Sequence, residues 1–355
     1  MPLRPLDTPF TPIAEVGEFG LIERLREALG PAADHARLTV PIGDDAAVAD
    51  LGGGRAQVLT TDLFVEGVHF DRTFAPLRAL GWKCIAASVS DVCAMNAEPT
   101  LVTVALGIPN NLSVENAEAL YTGVAQACEQ YGLAMAGGDI TASARLVISV
   151  TVLGEAEADR IVTRAGALPG EVLCVTGDVG ASAAGLNLLL KGKESLQEEA
   201  PGGDGAEAPR LQLTDFPTPI ERHLMPQARL DRVRLWREVG FQPTALIDVS
   251  DGIASEAHHL SIASTVGITV EAGLLPVHLQ TAAAAELLDE RADAWALYGG
   301  EDYELLFTAP REALSVLPDD TYAIIGEVVE PEEGVGLRLA DGTVLPLDSS
   351  GFTHF

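Results

Sequence analysis

Three aspartates, Asp62, Asp91 and Asp248, end or interrupt apolar runs, and no other feature constrains the fold of this chain as strongly. An ionised carboxylate carried into a core is costly unless something positive stands beside it. The three belong to a set of short acidic clusters flanked by glycine, serine or threonine: Gly43-Asp44-Asp45, Thr60-Thr61-Asp62, Ser90-Asp91, Gly137-Gly138-Asp139, Asp248-Val249-Ser250-Asp251-Gly252 and Gly299-Gly300-Glu301-Asp302. Any one of them alone is an ordinary turn or helix cap. Together they offer carboxylates, hydroxyls and close backbone approach, which is the oxygen-rich environment hard cations require. Mg²⁺ in particular keeps several waters and is held by a few carboxylates plus substrate phosphates, not by a histidine or cysteine cage.

Charge narrows the function. Against 52 acidic residues stand 22 basic ones, a formal net charge of −30 over 355 residues. Such a field repels nucleic acid and anionic membrane surfaces, so neither is an expected partner. An anionic substrate has to be approached through metal ions, because no G-x-x-x-x-G-K-[ST] loop and no G-x-G-x-x-G after a strand is present to cradle phosphate. Arg164 is the basic residue placed at the site, although spacing alone reads it equally as a solvated arginine. Serine-hydrolase and cysteine-nucleophile chemistry find no G-x-S-x-G elbow and no histidine paired with a thiol. His258-His259 lack a zinc frame. His69 follows the Asp62 strand and could reach a ligand, or simply be a satisfied structural histidine.

Cys84, Cys93, Cys128 and Cys174 show no C-x-x-C spacing and read as reduced thiols of a cytoplasmic protein. No apolar stretch approaches a membrane span, and Met1 to Val16 is proline-rich without the pattern of a signal peptide.

Periodicity predicts a helix from Phe19 to Leu29, a strand over Ala56–Thr61, a helix from Pro76 to Met95, a strand over Thr100–Ile108 and a Ser113-capped helix ending at Tyr131-Gly132. Strands over Leu133–Ala136 and Arg145–Gly154 follow, with Gly137-Gly138-Asp139 between them. A second module starts near Pro169-Gly170, with strand Val172–Thr176, turn Gly177–Gly180 and helix Ala181–Leu190. Residues 191–219, rich in Glu, Gly and Pro, read as a mobile surface loop. Helix Ala228–Glu238, strand Thr244–Asp248, helix Gly252–Val266 and strands near Ile268, Leu305–Thr308 and Ala323–Val328 complete a mixed α/β pattern in two domains.

In chain order GEFGLIERL, IGDDAAV, TTDLFVEGVHF, SVSDVCAMNAEPT, AGGDITAS, IVTRAGALPGE, VTGDVGASAAGL, IDVSDGIASE, GGEDYELLFT and GFTHF resemble the thiamine-monophosphate kinase family of the aminoimidazole-ribonucleotide-synthetase-like superfamily. The match spans nearly the whole chain. It implies a two-domain fold: an extension over 1–16, an N-terminal domain over 17–158 whose mixed sheet forms a dimer interface, and a C-terminal α/β domain over 159–355. It implies ATP-dependent phosphorylation of thiamine monophosphate to thiamine diphosphate, with several Mg²⁺ ions, in a homodimer whose ATP site lies near the interface. By resemblance Asp45, Thr60, Thr61, Asp62, Asp91, Asp139, Asp248 and Asp251 are Mg²⁺ ligands. Tyr121, Gly138, Asp139, Arg164 and Ser250 contact ATP, while His69, Glu301 and Phe352 surround the thiamine phosphate, with Asp44 and Asp302 in support. An aromatic face at Phe352 and the carboxylate of Glu301 suit the cationic thiazolium ring, although a terminal phenylalanine can also simply pack. Asn96 stands where the family usually has glycine, and asparagine tolerates the left-handed backbone such a turn needs. The sibling activities are disfavoured: selenophosphate synthetase needs a reactive residue near the N-terminus, whereas the first cysteine here is Cys84, and a hydrogenase-maturation dehydratase needs a C-terminal cysteine, whereas this chain ends in Phe355. A non-catalytic cation- or nucleotide-binding protein stays as the alternative from another class.

Overall fold

The computed structural model describes residues 11–33, 35–198 and 212–349. Two mixed sheets organise them. The first comprises β1 (Leu38–Val40), β2 (Ala47–Gly52), β3 (Arg55–Val65), β4 (Glu98–Ile108), β5 (Ala134–Ala142) and β6 (Val147–Glu157), in the order β1-β2-β3-β6-β4-β5. The second comprises β7 (Val172–Val175), β8 (Ala245–Asp248), β9 (Gly267–Glu271), β10 (Leu305–Ala309), β11 (Ala323–Val329), β12 (Val335–Arg338) and β13 (Val344–Pro346), in the order β13-β12-β9-β11-β7-β10-β8. Neighbours run antiparallel except β4 with β5 and β9 with β12.

Helices α1 (Gly17–Leu29), α2 (Leu77–Ala94) and α3 (Val114–Tyr131) accompany the first sheet. The later helices are α4 (Ala181–Glu198), α5 (Pro217–Leu224), α6 (Leu230–Val239), α7 (Ile253–Ser264), α8 (Leu279–Leu288) and α9 (Ala292–Tyr298). Ser113 caps α3 by accepting the Asn116 N–H, and Gly132 closes it in a left-handed conformation, as its sequence signals require.

Apolar residues surround α2 on every side, so it can only be an interior helix. Leu80, Cys84, Ile85, Val89 and Val92 are all buried, and the helix packs against β3, β4 and β6 of one sheet and β8 of the other. Its crossing with α3 is too close for any side chain: a Cβ on Gly123 would stand 1.8 Å from the Arg78 carbonyl oxygen, and one on Gly81 2.1 Å from that of Leu120. Trp236, Phe241 and Phe307 meet edge to face with centroids 5.2–5.8 Å apart, locking α6 onto β10.

Strand alternation gives the first sheet two unlike faces. On β3 the side chains of Ala56, Val58, Thr60 and Phe64 are buried, whereas Leu59 and Leu63 are exposed.

Two sequence expectations are corrected. Gly137-Gly138-Asp139, expected between two strands, is the middle of β5, because parallel pairing with β4 carries the backbone through in extended form. Of the loop expected over 191–219, residues 191–198 belong to α4, Leu213–Asp215 form a single turn and α5 begins at Pro217, while 199–211 lie outside the described residues. Lys, Glu and Gln are good helix formers, and this outweighs the weak apolar periodicity of 191–198. Strands β1, β2, β12 and β13 and helices α5, α8 and α9 were not read from the sequence; several are too short to show a period.

Candidate active site

A cleft of about 960 Å³ is walled by β3, α2, the β8–α7 loop and the α9–β10 segment, and Asp62, Asp91, Asp248, Ser250, Asp251, His69 and Glu301 line it. The aspartates arrive by three routes. Alternation on β3 turns Asp62 to the α2 side, α2 presents Asp91, and β8 ends on Asp248. A hydroxyl from a neighbouring element fixes each of them: Ser88 Oγ donates to Asp62 Oδ2 at 2.5 Å, Thr60 Oγ1 to Asp91 Oδ2 at 2.5 Å, and Ser90 Oγ to Asp248 Oδ2 at 2.6 Å. A fourth carboxylate, Asp45, adjoins them and receives the Arg164 guanidinium at 2.6 Å. The Arg164 backbone N–H donates to Asp44 Oδ2 at 3.2 Å.

Burial and crowding raise these acids above the ordinary carboxylate range. Burial, joined by the charge of Asp45, pushes Asp248 up to about 8. Burial, then the charges of Asp62 and Asp248, raises Asp91 well above the usual carboxylate range. Burial also raises Asp62 against the Ser88 hydrogen bond, and raises Asp45 despite Arg164. Asp44 rises to about 6 through burial and its neighbour Asp45.

These residues fit Mg²⁺. Asp45 Oδ2 is buried without a hydrogen-bond partner among the described residues, and four crowded carboxylates gather beside the Arg164 guanidinium. Among the described residues no three acid, imidazole or thiol groups close a cage by themselves; Mg²⁺ completes its shell with water and phosphate oxygens.

The surrounding segments hold the site rigid. Glu256 on α7 is buried and accepts the Ser250 and Asp251 backbone N–H groups at 3.1 and 2.7 Å, fixing the β8–α7 loop. Glu301 and Tyr303 adopt left-handed φ of 58° and 52°, a strained choice for side-chain-bearing residues that surrounding bonds must enforce. The Glu301 N–H donates to the Ser250 carbonyl at 2.7 Å. Asp302 accepts the Gly180 and Ser182 N–H groups at 2.5 and 3.1 Å at the start of α4, and Glu304 is fully buried between Arg222, Arg229 and Thr176. His69 Nδ1 accepts the Val65 N–H at 3.0 Å, so its neutral ring carries the proton on Nε2.

Thr61 lines the cleft as well, although it falls on the opposite face of β3 from Asp62, where its hydroxyl meets Thr151 Oγ1 at 3.0 Å and the Val150 carbonyl at 3.2 Å. Not every residue expected at the site gathers there. Gly138 and Asp139 lie on the exposed edge strand β5, and Tyr121 packs against the core from α3, all outside the lining of this cleft. Phe352 lies outside the described residues. Sequence reasoning missed Ser88, Glu256, Lys83 and His223. Ser88 stands three residues before Asp91 on one helical face, a readable signal, whereas His223 reaches the cleft only because α5 docks there.

The family described as AIR synthase related protein, N-terminal domain, matches residues 43–156. Thiamine-monophosphate kinase of Aquifex aeolicus is 37% identical over 343 residues, covering 97% of this chain and 99% of that protein. The Bacillus subtilis protein of the same name is 34% identical, covering 90% and 95%. The solved structure of AaThiL complexed with AMPPCP and TMP superposes with a TM-score of 0.81 at 36% identity, covering 98% of this chain and all of that one. Escherichia coli HypE, a hydrogenase maturation protein, shares the fold at a TM-score of 0.63 and 21% identity.

Proposed function

The chain belongs to the thiamine-monophosphate kinase family and phosphorylates thiamine monophosphate with ATP, and we propose that the phosphoryl group passes directly between the two phosphates over the Asp45, Asp62, Asp91 and Asp248 cluster. One observation carries this reading: aspartates far apart in sequence converge on one cleft, three of them pinned by neighbouring hydroxyls. Mg²⁺ held there supplies the positive charge that lets two anionic reactants meet and that offsets the charge of the transferring phosphoryl group.

Asp45, Asp62, Asp91, Asp248 and Asp251 hold the ions, and Thr60, Ser88 and Ser90 act through the carboxylates they fix. The acceptor phosphate oxygen is already an anionic nucleophile at neutral pH, so positioning and charge stabilisation suffice and no general base is needed. Arg164 and Ser250 serve the ATP side. His69 and Glu301 serve the thiamine-phosphate side, with the thiazolium cation facing the Glu301 carboxylate.

Tyr121, Gly138 and Asp139 complete the site in a homodimer. Leu59, Leu63 and Leu101 expose apolar surface on one face of the first sheet, and exposed apolar side chains on a sheet face suit burial against a second copy. The division into a 17–158 domain, which carries that face, and a 159–355 domain is part of the same reading. So is a cytoplasmic location, supported by four buried free thiols.

Incubating the purified protein with ATP, thiamine monophosphate and Mg²⁺ tests the proposal. Thiamine diphosphate and ADP form in equal amounts, and chelation of the metal abolishes both. Formation of ADP without thiamine diphosphate, or turnover indifferent to chelation, contradicts it.

A further inference from the structure

Lysine is rarely buried unless paired, yet Lys83 sits inside α2 with its side chain only 6% exposed. Its Nζ donates to Glu301 Oε1 at 2.8 Å. The other carboxylate oxygen, Oε2, lies 3.4 Å from His223 Nδ1, and the same nitrogen is 3.2 Å from Ser182 Oγ. Burial and the adjacent Lys83 charge keep that imidazole neutral, with its pKa near 3. Burial works against ionisation of Glu301, but Lys83 and His223 outweigh it and leave the carboxyl below its ordinary range. Glu301 is therefore an anion held at two points by α2 and α5, in a left-handed backbone conformation that needs such support.

Position on the helix gives the pair a purpose. Lys83, Ala87 and Asp91 follow one another at four-residue spacing, one stripe of α2, and both Ala87 and Asp91 line the cleft. One rigid helix thus sets the distance between a carboxylate of the cation cluster and the carboxylate that faces the acceptor. We infer that Lys83 is a positioning residue for the acceptor: it fixes Glu301 on the cleft wall, at a set distance from Asp91, and acts on the reaction only through Glu301. The inference rests on the reading that Glu301 touches thiamine monophosphate.

Steady-state kinetics of Lys83→Met, Glu301→Gln and the double variant test it, with both substrates varied. Glu301→Gln raises KM for thiamine monophosphate. Lys83→Met raises the same KM by about tenfold, a cost in the range of a misplaced binding group, while KM for ATP stays within about twofold. A general disturbance of the fold would move both constants together. The double variant matches Glu301→Gln alone within about twofold, since Lys83 has nothing left to act through. If the single Lys83→Met protein does not fold, the double variant, which removes the buried charge together with its partner, is compared with Glu301→Gln on its own. A double variant clearly worse than Glu301→Gln overturns the inference and leaves the site reading intact. An unchanged acceptor KM in Glu301→Gln overturns that site reading, and the inference with it.

Discussion

At the scale of single residues, each carboxylate of the cleft costs stability and returns chemistry. Asp62, Asp91 and Asp248 are raised mainly by burial, and the hydroxyls of Ser88, Thr60 and Ser90 are there to meet them. Asp62→Ala is expected to lower kcat by on the order of 10² or more, if its loss resembles that of one electrostatic stabiliser. Near-normal turnover in that variant would remove Asp62 from the machinery. Ser88→Ala takes away only the hydroxyl that orients Asp62, so its loss of kcat should be smaller than that of Asp62→Ala in the same assay. The aspartates were legible in the sequence because an acid at the end of an apolar run is conspicuous. Glu256 was not, since an acid inside a helix beside histidines looks like a solvated face until its bonds to Ser250 and Asp251 are seen.

Elements decide which of those residues meet. The contact of α2 with α3 depends on two glycines, and Gly123→Ala puts a methyl group 1.8 Å from the Arg78 carbonyl oxygen. The helices must separate, and a loss of about 3 kcal/mol or more in denaturant unfolding is expected for overpacking of backbone against backbone. An unaltered midpoint would mean that α2 and α3 cross less closely. His223 on α5 makes a second expectation. Its pKa falls from 6.5 to about 3 because burial and Lys83 disfavour the charged ring. Below pH 6.5 the unfolded chain takes up a proton that the folded one refuses, so stability falls with pH by up to about 1.4 kcal/mol per unit down to about pH 3. His223→Gln lacks this titration, and its stability deficit against the unmodified protein should shrink as pH falls from 6.5 to 4. A deficit constant over that range would show that the ring is not held neutral. The strands and long helices could be read from periodicity; β5 could not, since Gly137-Gly138-Asp139 is locally a turn and becomes strand only by pairing with β4.

For the whole molecule, the exposed side of the first sheet is the feature that a single copy leaves unexplained. Leu59 is 45% exposed and Leu101 40% exposed, on the same sheet face as Thr61 and Asp139. Leu59→Arg, outside the cleft lining, should convert a homodimer to monomer in analytical ultracentrifugation and lower activity with it; a protein that is monomeric before substitution, and active, would separate that face from function. By itself the sequence determined the fold class, the family and most of the aspartates that gather in the cleft, because runs of apolar residues, turn-forming glycines and ordered motifs are local properties. Only the tertiary structure decided that Thr60 and Thr61 part to opposite faces of β3, that Lys83 and His223 reach Glu301, and that Arg164 pairs with Asp45. Those outcomes depend on register, on helix docking and on burial between segments far apart in sequence, and none of them leaves a trace in local spacing.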